Sequence, residues 1–494
     1  MERTLEGLLE RGAILRGEFR PGGWEREWCD AEVLRALRRR SLARLRREIE
    51  PVEAAALARF LPAWHGIGRD GTGGIDRLVG VVAQLEGLAL PASVLEREVL
   101  ASRVPGYAPR LLDELGAAGE VAWVGHGRLG PDDGRIALYR PERLALLLDP
   151  IAAGGPDAAT GDAATLGPAW LRDALVVHLE AHGASFYRDL LVAAHDAARA
   201  RGEPVPSERV TLDALWDLAW AGVLTNDTFA PLRALRWRRP AGGGGPRRGV
   251  RLVPPEAAGR WSLIREGHAP PDPTGGTIST TARLHARALV LLERQGVVTR
   301  DGVLAEAVPG GFAAVYPILR ELEERGRVRR GYFVERLGGA QFALPGAVER
   351  LRAARRPPGA DPDEAAVLVL AAVDPAQPYG SVLPWPQRPG EGHRAVARVA
   401  GAHVVLVDGE PAAFLERGAR SLRTLPAFER PGAAEAALRG LAGLVSDGRL
   451  RALQLHRIDG EDSASSPYGA ALAAAGFRRT YRGWQIAAAP AGAG

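Results

Sequence analysis

The chain has 494 residues, of which 46% are hydrophobic and 25% charged, with a formal net charge of +5. That is too long for one core and too apolar for a disordered chain, so several globular domains are predicted. No lysine occurs, so all 64 basic residues are arginine, which excludes a Walker A phosphate loop, hence ATPase activity of that type, and a lysine Schiff-base nucleophile.

The N-terminal string LEGLLERGAILRGEF is an amphipathic helix ending at Gly12, followed by an extended segment from Ile14. The same pattern, a leucine, a glycine four residues on and an aliphatic residue two further, recurs at Leu115, Gly119 and Val121, at Leu218, Gly222 and Leu224, and at Leu322, Gly326 and Val328. The step is roughly 100 residues, the signature of an internal repeat. A helix closed by a left-handed glycine, then strand, turn and strand, is the second half of a winged helix. The first copy lacks the two helices that should precede it, so Met1 is expected to lie inside a longer ancestral protein.

Residues 30–50 read as a helix with Asp30 as N-cap and Pro51 as stop. Leu34, Leu37, Leu45 and Ile49 form its apolar stripe, and arginines crowd the other faces. Arg35, Arg38, Arg39 and Arg46, with Arg329 and Arg330 further on, are the predicted phosphate contacts. The single cysteine, Cys29, excludes an internal disulfide and any Cys-pair metal site. Helical stretches IDRLVGVVAQLEG and PASVLEREVLASRV lead into the second copy, whose wing is GRLGPDDGRIALYR. His178 and His182 stand one helical turn apart but lack the HExxH order, so they read as helix surface, and neither a metal nor a cofactor is expected. Asn226 and Asp227 read as a turn with an Asx bond. Gly/Ala/Pro-rich linkers are predicted over 149–168 and 238–248, with RRPPGADPDE (355–364) closing the helical part.

After residue 361 the apolar period becomes alternating, which predicts strands joined at Asp-Gly and Arg-Gly turns, with helices over 433–445 and 467–475. Asp374, before Pro375, reads as a turn residue, and Asp459 and Asp462 as solvated loop acids. The fold class expected is α+β and multidomain: tandem winged-helix domains followed by a C-terminal β-barrel-like α+β domain. The units are 1–50, a winged-helix remnant plus basic linking helix; 51–150, 166–262 and 279–356, one winged helix each; and 361–494, the barrel-like domain. No run of about twenty apolar residues predicts a membrane span, and the charged N-terminus is no signal peptide, so a cytoplasmic location is expected.

The strings EWCDAEVLRALRRRSLARLRREIEPV, LWDLAWAGVLTNDTFAPLRAL, RVRRGYFVERLGGAQFALPGAVERLR and DPAQPYGSVLPWP resemble the C-terminal region of large helicase-related (Lhr) DNA helicases. That resemblance covers nearly the whole chain and implies a DNA-binding module attached to a separate helicase core. The Lhr C-terminal region is in turn similar to winged-helix DNA glycosylases of the AlkZ type, which carry a Q-x-Q or Q-x-D element. Here LARFLPAWHGI resembles their opening helix, with His65 where glutamine is frequent, and GVVAQLEG places Gln84 and Glu86 at the matching step. The resemblance implies base excision, with Gln84 orienting a water and Glu86 deprotonating it, on single-stranded or damaged duplex DNA. Two other readings stand beside it: a non-catalytic platform that binds DNA and forms homo-oligomers, and a winged-helix transcription regulator.

Overall fold

The computed structural model describes residues 2–488, apart from 20–25, 38–39, 41–49, 69–70, 149–166, 236–253, 265–277, 357–364 and 388–395. Most of the predicted linkers and of the basic helix therefore lies outside the described residues, as do Arg38, Arg39 and Arg46.

The repeated Leu-x3-Gly pattern has one local cause. In each copy the leucine carbonyl accepts the backbone N–H of the residue after the glycine: Ala13 to Leu8, Glu120 to Leu115, Val223 to Leu218 and Arg327 to Leu322, at 2.8–3.0 Å. The glycines sit at φ 68–74°, the left-handed conformation that a Cβ disfavours. This closure satisfies the last helical carbonyls and aims the chain into a strand.

The first copy comprises α1 (Glu2–Glu10), β1 (Ile14–Gly17) and β2 (Glu27–Asp30), paired antiparallel. The Asp30 carboxylate then accepts the amides of Glu32 and Val33, capping a helical stretch over 31–37. Helix α2 (Ala54–Trp64) follows. The next unit runs α3 (Ile75–Leu85), β3 (Leu90–Pro91), a helical stretch over 92–100, α4 (Pro109–Ala117), β4 (Ala122–Arg128) and β5 (Gly134–Tyr139). Its three-stranded sheet has the order β3-β5-β4.

The same topology returns twice. After α5 (Pro141–Leu147), α6 (Ala169–His182), β6 (Ser185–Phe186), α7 (Tyr187–Arg201), α8 (Glu208–Trp220), β7 (Leu224–Asn226), α9 (Ala230–Leu235) and β8 (Arg260–Leu263) give a sheet β6-β8-β7. Then α10 (Thr280–Gln295), β9 (Val297–Val298), α11 (Arg300–Ala305), α12 (Gly311–Glu324), β10 (Arg329–Gly331) and β11 (Gln341–Ala343) give β9-β11-β10, and α13 (Pro345–Ala353) follows. Each unit has a helix, a short strand, two helices and a two-stranded wing, with the last strand central.

The second and third copies share one core. Trp123 stacks on Trp216 at 6.3 Å, and Trp261 meets Trp216 edge-on at 5.4 Å. Thr225 donates its hydroxyl to the Trp123 carbonyl at 2.7 Å. Two glycines permit this approach: a Cβ at Gly125 would stand 2.0 Å from the Ala219 carbonyl oxygen, and one at Gly134 2.5 Å from the Trp220 ring. Helix α2, by contrast, packs away from the unit it precedes. Its Ala56, Leu57 and Phe60 join Phe333, Val348, Tyr379 and Leu406 in a core shared with the last winged unit and the C-terminal domain. Val52 anchors it there, donating to the Phe333 carbonyl at 2.8 Å.

The C-terminal domain comprises β12 (Val367–Ala371), β13 (His403–Val407), β14 (Glu410–Leu415), β15 (Ser421–Thr424), α14 (Ala433–Ser446), β16 (Ala452–Leu455), β17 (Arg457–Ile458), β18 (Glu461–Asp462), α15 (Gly469–Ala474), β19 (Arg478–Thr480) and β20 (Gly483–Ala487). Helix α14 covers the face carrying Val369, Val405 and Leu415. The expected barrel is not seen closed. Among the described residues β12-β13-β14-β15-β17-β18 form an open sheet with β12 and β18 at its edges, beside a separate sheet β16-β20-β19. No helix of the described residues is long and apolar enough to cross a membrane.

Candidate functional site

A cavity of about 770 Å³ lies where the unit around β3–β5, the last winged unit and the C-terminal domain meet. One wall is the end of α2 with Leu57, Leu61 and His65; another is β3 with the β4–β5 wing tip; a third is α10–α11 with Arg294 and Glu306. The C-terminal domain closes it with Val382, Arg398 and Arg417. Arg97, Arg135, Arg294, Arg398 and Arg417 line it against Asp132, Asp133 and Glu306, which makes it an electropositive recess. Arg135 and Arg417 are exposed and have no ion-pair partner among the described residues. Burial brings the Arg398 pKa down to about 10, still charged at neutral pH.

The wing tip presents a fixed carboxylate. Asp133 Oδ1 accepts the backbone amides of Ser93 at 3.1 Å and Gly134 at 3.0 Å, while Leu129 donates to the Asp133 carbonyl at 2.9 Å. Two amides on one oxygen hold the carboxylate in place, and Oδ2 carries no partner among the described residues. Glu306 is more engaged, accepting from Gln295 at 2.7 Å and standing 3.3 Å from Arg294.

Behind the cavity lies a buried charged cluster. Arg103 donates Nη1 and Nη2 to the two Asp374 oxygens at 2.9 and 2.7 Å, and both side chains are sealed from water. Arg103 also directs Nε and Nη2 at His65 Nδ1, at 3.3 and 3.1 Å. Burial and then the Arg103 charge push the His65 pKa well below its ordinary value, so the ring is neutral at pH 7. For Asp374, burial raises the carboxyl, but the Arg103 charge and hydrogen bonds outweigh it and the net shift is downward.

The residues singled out in the sequence sit elsewhere. Glu86, the C-cap of α3, is fully buried: Oε1 accepts the Arg140 amide at 2.8 Å, and Oε2 accepts Arg140 Nη2 at 2.9 Å with Arg143 3.4 Å away. Gln84 donates to the carbonyls of Trp64 and Glu293 at 3.5 and 3.4 Å. Arg294, which lines the cavity, binds the Glu86 carbonyl at 3.2 Å. The Gln84–Glu86 segment is therefore a strut behind the wall and does not line the cavity. Arg35 pairs with Glu32, Arg329 with Glu349, and Arg330 with Glu323 and Tyr316. Asp374 is the expected turn residue, its amide donating to the Ala371 carbonyl at 2.9 Å and its Oδ1 accepting the Ala376 amide at 2.8 Å, and it is in addition the buried partner of Arg103. Asn226 makes the expected Asx bond, accepting from Thr228 at 2.9 Å. The rings of His178 and His182 stack at 4.4 Å.

The chain matches the family described as large helicase-related protein, winged-helix domain, at residues 52–141 and 277–363. It is 40% identical over 98% of its length to a Mycolicibacterium smegmatis protein named Lhr helicase/probable uracil glycosylase, covering 31% of that protein. To the Escherichia coli protein named Lhr helicase/uracil glycosylase it is 34% identical over 85% of its length, covering 27% of that protein. The chain thus spans about a third of the length of these relatives. The solved Streptomyces sahachiroi DNA glycosylase AlkZ is similar at a TM-score of 0.48 and 15% identity, over 83% of this chain and 100% of that one.

Proposed function

Because this chain carries winged-helix domains of the large helicase-related family and aligns almost end to end with part of two Lhr proteins, we propose that it is a DNA-binding repair module that excises a damaged base and works attached to a helicase core. The observation that carries this reading is the electropositive cavity at the junction of three units, with one carboxylate fixed at the wing tip. Its volume falls in the range of small-molecule sites and admits an extruded nucleotide. Arg135 and Arg417 at its walls suit flanking phosphates. The names of both relatives include uracil glycosylase, which supports the same chemistry.

In this mechanism the C1′–N bond of the flipped nucleotide breaks and its electron pair leaves with the base. A water oxygen bonds to the oxocarbenium-like C1′, and its proton passes to Asp133. Asp133 takes the role the family resemblance suggested for Glu86, because two arginine side chains and a backbone amide already occupy Glu86. General-base catalysis of this kind contributes about 10²–10⁴-fold. The test is incubation of the purified chain with oligonucleotides bearing uracil, oxidised or alkylated bases, followed by alkaline cleavage. Strand breaks at a lesion, reduced 10²-fold or more by Asp133→Asn with DNA binding retained, are the expected result. No base released from any lesion leaves the module as a non-catalytic DNA-binding platform.

A further inference from the structure

Tyr481 stands at the turn between β19 and β20 and is 90% exposed, whereas Trp484, three residues on, is 9% exposed. Thr480 Oγ1 closes the turn, donating to the Gly483 carbonyl at 3.1 Å and accepting the Arg482 amide at 3.3 Å. Gly483 has φ 114°, and a Cβ there would stand 2.2 Å from the Leu455 carbonyl oxygen, so the turn lies tight against the end of β16. Trp484 anchors the strand behind it, donating Nε1 to the Ser463 carbonyl at 3.1 Å. A ring on so fixed a turn loses little backbone freedom when a partner arrives. The surroundings are basic. The Arg482 guanidinium lies 5.1 Å from the centroid of the Tyr481 ring, and Arg479 donates to the Ala464 carbonyl at 3.2 Å. Arg478, Arg479 and Arg482 are exposed and have no carboxylate partner among the described residues. No acidic residue occurs after Asp462, and none of these residues lines the cavity.

We propose that this hairpin tip is a second contact for DNA, with Tyr481 stacking on an unpaired base of a single strand and Arg478 and Arg482 holding phosphates beside it. Three uncompensated guanidiniums call for a polyanion, and an exposed ring calls for a flat π face; a single DNA strand offers both along one chain. Arg482 covers one face of the ring, so the base takes the other. In a duplex each base face is covered by its neighbours, which leaves the ring only an unpaired or terminal base to stack on. The contact depends on DNA binding by this chain and not on base excision, so it holds whether or not a base is released.

Binding titrations of the full chain with an oligo-dT strand, and with an abasic strand of the same length, separate stacking from phosphate attraction. Tyr481→Ala is expected to weaken oligo-dT binding by about 5–150-fold and to leave abasic binding within about twofold of wild type. Tyr481→Phe keeps the ring and is expected to bind oligo-dT within about twofold of wild type. Arg478→Gln and Arg482→Gln should each lower the single-strand salt slope by about 0.7. A strand carrying 5-iododeoxyuridine, irradiated on the wild type, is expected to cross-link to Tyr481. Equal oligo-dT binding by Tyr481→Ala and wild type, or an equal loss on oligo-dT and abasic strands, overturns the inference. Tighter binding of oligo-U than of oligo-dT, lost in Tyr481→Ala, reassigns the tip to RNA and overturns it too. So does a change of oligomeric state in Tyr481→Ala on size-exclusion chromatography with oligo-dT affinity kept, which assigns the tip to a second copy of the chain.

Discussion

Replacing Asp374 with Asn asks how far the cavity wall depends on a buried charge. The substitution keeps the side-chain shape and an acceptor for the Ala376 amide, which Oδ1 binds at 2.8 Å. It removes the charge that compensates Arg103. Arg103 is 0% and Asp374 1% exposed, so water cannot take the lost partner's place. Breaking such a pair costs about 3–5 kcal/mol, and about 1.4 kcal/mol is tenfold in an equilibrium, so the open population of this junction should rise by roughly 10²–10⁴-fold. The chain has several cores, so a single melting temperature is a poor measure. Native-state hydrogen exchange is the better assay. Protection at amides around 99–104 and 371–377 should fall by that factor, while amides of β16 and β20 keep theirs. Adding Arg103→Met removes the stranded charge and should restore part of the protection. Unchanged exchange in Asp374→Asn, or a double variant no better protected than the single, refutes the argument.

The same junction should weaken in acid. The folded-state pKa of His65 lies below 6.5, so the unfolded chain protonates first and stability is lost as pH falls below about 6.5; the lowered Asp374 carboxyl adds stability above its ordinary pKa that is lost as pH falls through its folded value. Exchange measured from pH 8 to pH 4 should show protection decreasing monotonically with acid. Glu86→Gln should destabilise the β3–β5 unit by about 1.5–3 kcal/mol, since charged hydrogen bonds from Arg140 are lost, and calorimetry should show it; a variant as stable as wild type but without excision would return Glu86 to the chemistry. Gly125→Ala forces a methyl against the Ala219 carbonyl and should cost about 1–3 kcal/mol, read as separated melting of the second and third winged units. DNA affinity should fall steeply with salt, and Arg135→Gln and Arg417→Gln should each reduce the slope by about one in a binding titration.

The winged-helix pattern was legible along the chain because its cause is local. A leucine carbonyl, a left-handed glycine and the next amide close within six residues, so Leu115, Gly119 and Glu120 announce a helix end wherever the unit packs. The change of period after residue 361 is equally local, since alternation reports two faces of one strand. The missing lysine is a fact of composition that no fold can alter. The cavity and the charged cluster behind it were not legible. Arg103 and Asp374 are 271 residues apart, and nothing near Pro375 tells that the turn carboxylate is also buried against an arginine. The contacts of Glu86 were equally hidden, because its partner Arg140 lies 54 positions on. His65 stood out only as the residue where glutamine is frequent in similar helices; its burial and its contact with Arg103, 38 positions on, were not legible. Charge pairing and desolvation depend on which surfaces meet in space, and separation along the chain carries almost no information about that.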